Sequence, residues 1–108
     1  MSKFLTIGYG DRAGYEQTDA QVRDAAHAHD ARLRGEGALM GIAGLPVQVR
    51  NHDAAAVKTT DGPFMSSALP VAGFIVIEAA SLEEAIDIAS RTPCAVAQGV
   101  VEVWPFEE

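Results

Sequence analysis

A chain of 108 residues, 48% of them hydrophobic, is the length of a single domain (residues 1–108) and can build a core without covalent staples. Fifteen acidic residues against eight basic ones give a formal net charge of −7. That balance disfavours nucleic acid and anionic membrane surfaces as partners, since both are held by basic side chains. The one cysteine, Cys94, excludes an internal disulfide and a thiolate-based zinc cluster.

No apolar run approaches the ~18 residues of a membrane span. Met1-Ser2-Lys3-Phe4 lacks the charged head and apolar block of a signal peptide, so a cytoplasmic location is expected. Lys3 to Tyr9 (KFLTIGY) predicts a strand with Leu5, Ile7 and Tyr9 on one face and Phe4 and Thr6 on the other. Gly10 to Gly14 is rich in turn residues and reads as a loop. Thr18-Asp19-Ala20-Gln21 fits a capping box and predicts a helix opening at Thr18. Its inner stripe is Val22, Ala25, Ala26, His29 and Leu33, and its polar stripe is Arg23, His27, Asp30 and Arg34. Gly35 and Gly37 end it.

Ala38 to Leu45 predicts a second strand, interrupted by Pro46. Val47–Arg50 and Ala56–Thr60 flank Asn51-His52-Asp53 and read as a hairpin. Asp61-Gly62-Pro63 makes a sharp reversal and throws Phe64 outward: Asp can bond forward to backbone, Gly tolerates positive φ and Pro fixes φ. Gly73 to Ala79 (GFIVIEA) is the strongest strand signal. Ser81-Leu82-Glu83-Glu84 caps a second helix, with Leu82, Ala85, Ile86 and Ala89 inward and Pro93 as its stop. Val100 to Trp104 is the last strand, and Pro105 to Glu108 is the tail.

This order predicts an α+β fold, a ferredoxin-like βαββαβ unit with an inserted hairpin and two helices on one face of an antiparallel sheet. The strand at 73–79 is apolar on both faces: Phe74 and Val76 on one, Ile75, Ile77 and Ala79 on the other. Two helices cannot cover both. A bare apolar sheet face exceeds what soluble monomers expose, so a homodimer packed through that open face, sheet against sheet, is expected. The alternative folds the hairpin or the tail over it.

His29, on the inner stripe, can serve as a general base, or be a buried, hydrogen-bonded structural histidine. His27 lies on the polar stripe within reach of Asp30, and His52 falls in the hairpin turn. Asp61 can act as a base or simply shape the loop as an Asx turn. Phe64 and Met65 can line a cavity with Tyr9 and Trp104, or pack in core or interface. The catalytic candidates are thus His29 and Asp61, and the ligand-binding candidates Tyr9, Asp61, Phe64 and Met65. Cys94 reads as a structural thiol. Gly35 to Gly41 fails as a dinucleotide loop, because it follows a helix and precedes a strand. The histidines lack the spacing and partners of a metal site, so neither metal nor cofactor is expected.

Val57-Lys-Thr-Thr-Asp-Gly-Pro-Phe64, Gly73-Phe-Ile-Val-Ile77, Ser81-Leu-Glu-Glu-Ala85 and Val101-Glu-Val-Trp-Pro105 together resemble the YCII-related family, and more narrowly the branch named for its DGPF tetrapeptide. The resemblance runs over nearly the whole chain. It implies a dimeric α+β barrel of ferredoxin-like subunits. Some relatives outside this branch act on small aromatic compounds through a His-Asp pair between helix and sheet, and members of the branch are linked to alternative sigma factors. Two departures stand out. The charged segment that usually follows the tetrapeptide is replaced by uncharged Met65 to Val71, and the position of the relatives' histidine falls on Ala26, next to His27. Three functions follow: binding a small apolar or aromatic molecule in a cleft beside the DGPF loop, an enzyme on such a molecule, or a sigma-factor-associated regulatory or interaction protein.

Overall fold

The computed structural model describes residues 1–107. In chain order the elements are β1 (Ser2–Tyr9), α1 (Arg12–Gln17), α2 (Ala20–Gly35), β2 (Leu39–Ile42), β3 (Val47–Arg50), β4 (Lys58–Asp61), β5 (Val71–Ala79), α3 (Leu82–Ser90), α4 (Pro93–Val96) and β6 (Val100–Pro105). β2, β5, β1 and β6 lie side by side in one four-stranded sheet, and every neighbouring pair is antiparallel. This is the expected ferredoxin-like arrangement, with β3 and β4 as a separate two-stranded hairpin inserted between β2 and β5.

Strand register decides which side chains meet the helices. Phe4 stands opposite Ile77, and Thr6 opposite Ile75 and Val103. These residues face the helices, and Phe4, Ile77, Ala79 and Ala85 form the core, with Ile75, Ile88 and Val103 packed against it. The alternate residues make the other face. Leu5 lies between Val76 and Trp104, Ile7 between Phe74 and Glu102, and Leu39, Phe74 and Trp104 are exposed there.

Several expected boundaries shift for local reasons. Gly10 to Gly14 is not all loop: Asp11 caps α1, accepting a hydrogen bond from the Gly14 N–H at 2.8 Å. Gly14 sits inside that helix because a Cβ there would meet the Ala97 carbonyl oxygen at 2.9 Å. Thr18 does not open α2. Its hydroxyl turns back to donate to the Gly14 carbonyl at 2.9 Å, and Asp19 takes the cap, accepting from the Gln21 N–H at 2.9 Å. The buried stripe of α2 is Ala26, His29 and Leu33, with Asp30 half-buried beside it, while Val22 and Ala25 are exposed. In α3 the inward residues are Ala85, Ile88 and Ala89, while Leu82 and Ile86 are exposed. Ser81 caps α3 as expected, accepting from the Glu84 N–H at 3.2 Å. Pro93 follows the end of α3 and itself opens α4, where its missing N–H is not needed.

The second strand is shorter than expected, Leu39–Ile42 rather than Ala38 to Leu45: its ladder with β5 runs from Gly73 to Val76, and beyond it the Ala43 N–H donates to the Ala72 carbonyl at 2.9 Å. The return strand of the hairpin is Lys58–Asp61 rather than Ala56 to Thr60, with Val47 opposite Asp61 and Arg50 opposite Lys58. A short turn at His52–Ala54, with Asp53 and Ala54 at φ 58 and 55, joins the two. The hairpin's strands pair extensively only with each other. The molecule measures 52 × 36 × 21 Å with a radius of gyration of 15.8 Å, against about 13 Å for a compact chain of this length. No helix among the described residues is long and apolar enough to cross a membrane.

Candidate functional site

Between α2, α4 and the helix-facing side of the sheet lies a cavity of about 180 Å³. Its walls are largely apolar, with Met40 from β2, Ile75 from β5 and Val101 from β6. Two glycines that face each other across β1 and β5, Gly8 and Gly73, also line it. Neither position tolerates a side chain easily. A Cβ on Gly8 would come 2.8 Å from the Cys94 sulfur, and one on Gly73 would come 2.7 Å from the Gly41 carbonyl oxygen.

Polar groups also border the cavity, and most are occupied. The Thr6 hydroxyl donates to the Ile75 carbonyl at 3.1 Å, and the Thr92 hydroxyl to the Ala89 carbonyl at 2.7 Å. Asp30 differs. Its Oδ1 is buried and has no hydrogen-bond partner among the described residues. Burial holds the Asp30 carboxyl above its ordinary value, against the opposing pull of His29, His27 and Arg34. Cys94 is half-buried, and burial, with a smaller push from the Asp30 charge, raises its thiol as well. A thiol held protonated is a poor nucleophile, so the chemistry this site offers is an open, apolar-walled cleft bordered by one carboxylate.

The sequence candidates do not converge on it. His29 is 4% exposed, and its Nε2 lies 2.8 Å from the Ile88 carbonyl oxygen. His27 is on the surface with its Nε2 2.8 Å from the Tyr15 hydroxyl, and so is engaged with α1 rather than with Asp30. Tyr9 lies on the helix-free face of the sheet and donates to Glu102 Oε1 at 2.6 Å, a bond that raises its phenol. Asp61 pairs with Val47 inside the hairpin and is exposed. The reversal after it rests on Gly62 at φ 100, whose N–H donates to the Pro46 carbonyl at 3.0 Å. Phe64 and Met65 are 78% and 81% exposed. His52 is exposed on the hairpin turn. None of these residues lines the cavity between helix and sheet. Among the described residues, no group of three or more His, Cys, Asp or Glu side chains is placed to hold a metal ion.

Asp30, Gly8, Gly73 and Thr92 were not singled out by sequence reasoning, yet a signal for Asp30 exists. It stands four residues after Ala26 and three before Leu33, both buried, so helical spacing puts it on the inner face.

A family model described as the YCII-related domain matches residues 2–107. The chain belongs to that family. Among curated proteins, none is similar enough to the chain to count as a match.

Proposed function

We propose that this YCII-related protein binds a small, mostly apolar molecule in the cleft between α2 and the sheet, and that it does so as a two-fold dimer. The observation that carries the binding reading is the cavity itself: about 180 Å³, apolar-walled, and lined by the facing glycines 8 and 73. An apolar cavity of ~150 Å³ suffices for a benzene-sized guest, so the expected ligand is one ring or a short aliphatic chain. The cleft lies beneath α2 and not at the tetrapeptide loop. His29 and Asp61 sit on separate elements, α2 and the hairpin, so this reading does not use them as an acid–base pair. The test is titration of the labelled protein with ethylbenzene, followed by amide chemical shifts. Saturable shifts at Gly8, Gly73, Thr92 and Cys94 are expected. Shifts confined to the hairpin, or none, would sink the proposal.

The dimer reading has its own support. The chain exposes 7660 Å² for a mass of 11.4 kDa, whereas a monomer of that mass exposes about 5,800 Å². The excess is about 1,900 Å², more than the ~800 Å² per partner of a standard interface. Exposed apolar groups include Phe74 and Trp104 on the helix-free sheet face, Val47 and Val49 on the hairpin, and Phe64 just after it. The tetrapeptide Asp61–Phe64 supports placing the protein in the DGPF branch, and on this reading its hairpin serves assembly. Light scattering should give a mass twice that of the chain; the mass of one chain at micromolar concentration would refute the dimer.

A further inference from the structure

We infer that the cleft selects a compact molecule whose polar end is an amine, held by a hydrogen bond from its N–H groups to the Asp30 carboxylate, which borders the cleft. The inference rests on the reading of the cleft as a ligand site, and adds what the ligand must carry.

The argument is one of satisfaction. A carboxylate drawn partly out of water without a partner is costly, and half-buried Asp30 forms no ion pair while its Oδ1 accepts no hydrogen bond among the described residues. Thr6 and Thr92 have already given their protons to backbone carbonyls, and the Cys94 thiol is a weak donor. Arg34 borders the same cavity, but it is exposed, and it forms no ion pair with Asp30 among the described residues. Water screens such an exposed charge, so the carboxylate keeps its need for a donor. An acceptor-only ligand, such as a carboxylic acid in its ionised form, would leave the carboxylate unpaired and add a like charge beside it. An alkyl ligand would fill the volume and leave the carboxylate unpaired. An ammonium group supplies both the donor and the opposite charge, and charge-assisted bonds of this kind are about twice as strong as neutral ones. The apolar remainder of the ligand then lies against Met40, Ile75 and Val101.

The experiment compares benzylamine with ethylbenzene, its uncharged counterpart of the same shape, on the wild-type chain and on Asp30→Asn. The substitution keeps the size of the side chain and removes its charge. Affinities are read from the amide shifts of Gly8, Gly73 and Thr92, and the shift pattern of the free variant shows whether it folds. In the wild type, benzylamine should bind at least ten times more tightly than ethylbenzene. In Asp30→Asn that preference should fall to threefold or less. If ethylbenzene binds as tightly as benzylamine, or if the preference survives in Asp30→Asn, the role of Asp30 is overturned while the cleft remains a ligand site. If neither molecule moves the cleft amides, the cleft reading falls and the inference with it.

Discussion

His29 on α2 and Ile88 on α3 are joined by a single hydrogen bond, with 2.8 Å between the imidazole Nε2 and the carbonyl oxygen. A carbonyl only accepts, so Nε2 carries the proton. The bond ties the two helices together beside the core that Ile88 packs against. Asp30 is the next residue along the helix. Of the two readings of His29, general base or structural histidine, this bond fits the second, and the carboxylate beside it borders the cleft.

Removing that fastener should be felt as stability. His29→Ala deletes a buried ring and leaves the Ile88 carbonyl without its donor, and the two losses together should cost about 2–4 kcal/mol. Urea denaturation followed by circular dichroism measures it. A variant as stable as the wild type would show that the bond is dispensable and would reopen a chemical role for His29.

Asp30 should behave in the opposite way. Its carboxyl is held above the ordinary value by burial, so the folded chain keeps this proton at pH values where the unfolded chain has lost it. Where the folded state binds more protons, stability falls as pH rises. The contribution is therefore fully present below the unfolded carboxylate range, near pH 4, and is lost as pH rises through the folded value. Asp30→Asn carries no such loss. It should melt above the wild type at pH 7, and the gap should close as the pH is lowered below about 4. A variant that melts below the wild type at pH 7 would mean that the ionised carboxylate has a stabilising partner after all.

How much of this was legible in the sequence depends on which force decided each element. Period-two alternation in β1 and β5 and the Ser81 cap are local signals, and the structure keeps them. α1 was hidden because Gly14 looks like a loop residue. It is glycine for a tertiary reason, the close Ala97 carbonyl, which no local pattern carries. Asp30 was hidden by its type. A carboxylate is assigned to the wet face by default, and its spacing from Ala26 and Leu33 said otherwise. Gly8 and Gly73 became a feature only when the register set them opposite one another. The tetrapeptide loop was the most conspicuous stretch of the chain, and the fold sets it on a hairpin apart from the cleft.

The Gly8–Cys94 contact offers a reciprocal test of the cleft floor. In Gly8→Ala the new methyl would stand 2.8 Å from the Cys94 sulfur and 3.2 Å from its Cβ. Overpacking of this kind costs about 1–3 kcal/mol. Cys94→Ala removes the sulfur, so the double variant should recover at least half of that loss. The coupling of neighbouring sites is what a double-mutant cycle measures. Strictly additive effects would mean that the clash is relieved elsewhere, by movement of β1 or α4.

The hairpin makes the sharpest claim about assembly. Val47 and Val49 lie on one face of it, opposite Asp61 and Thr59, and they are 56% and 66% exposed. The other face carries Gln48, Arg50, Lys58 and Thr60. This is the alternation of a half-buried sheet, yet the hairpin's own chain supplies little to bury it. Two strands alone are marginal in water, so the apolar face needs a partner, and the proposed dimer would provide a second copy of the same surface. The paired substitution Val47→Lys and Val49→Lys should therefore weaken dimerisation at least tenfold while leaving the circular dichroism of the sheet unchanged, because the two residues lie outside the core. Light scattering over a dilution series measures the first, and the fluorescence of the half-exposed Trp104 reports whether the sheet face opens as the dimer separates. A double variant that dimerises like the wild type would remove the hairpin from the interface and leave the sheet face to hold the dimer alone.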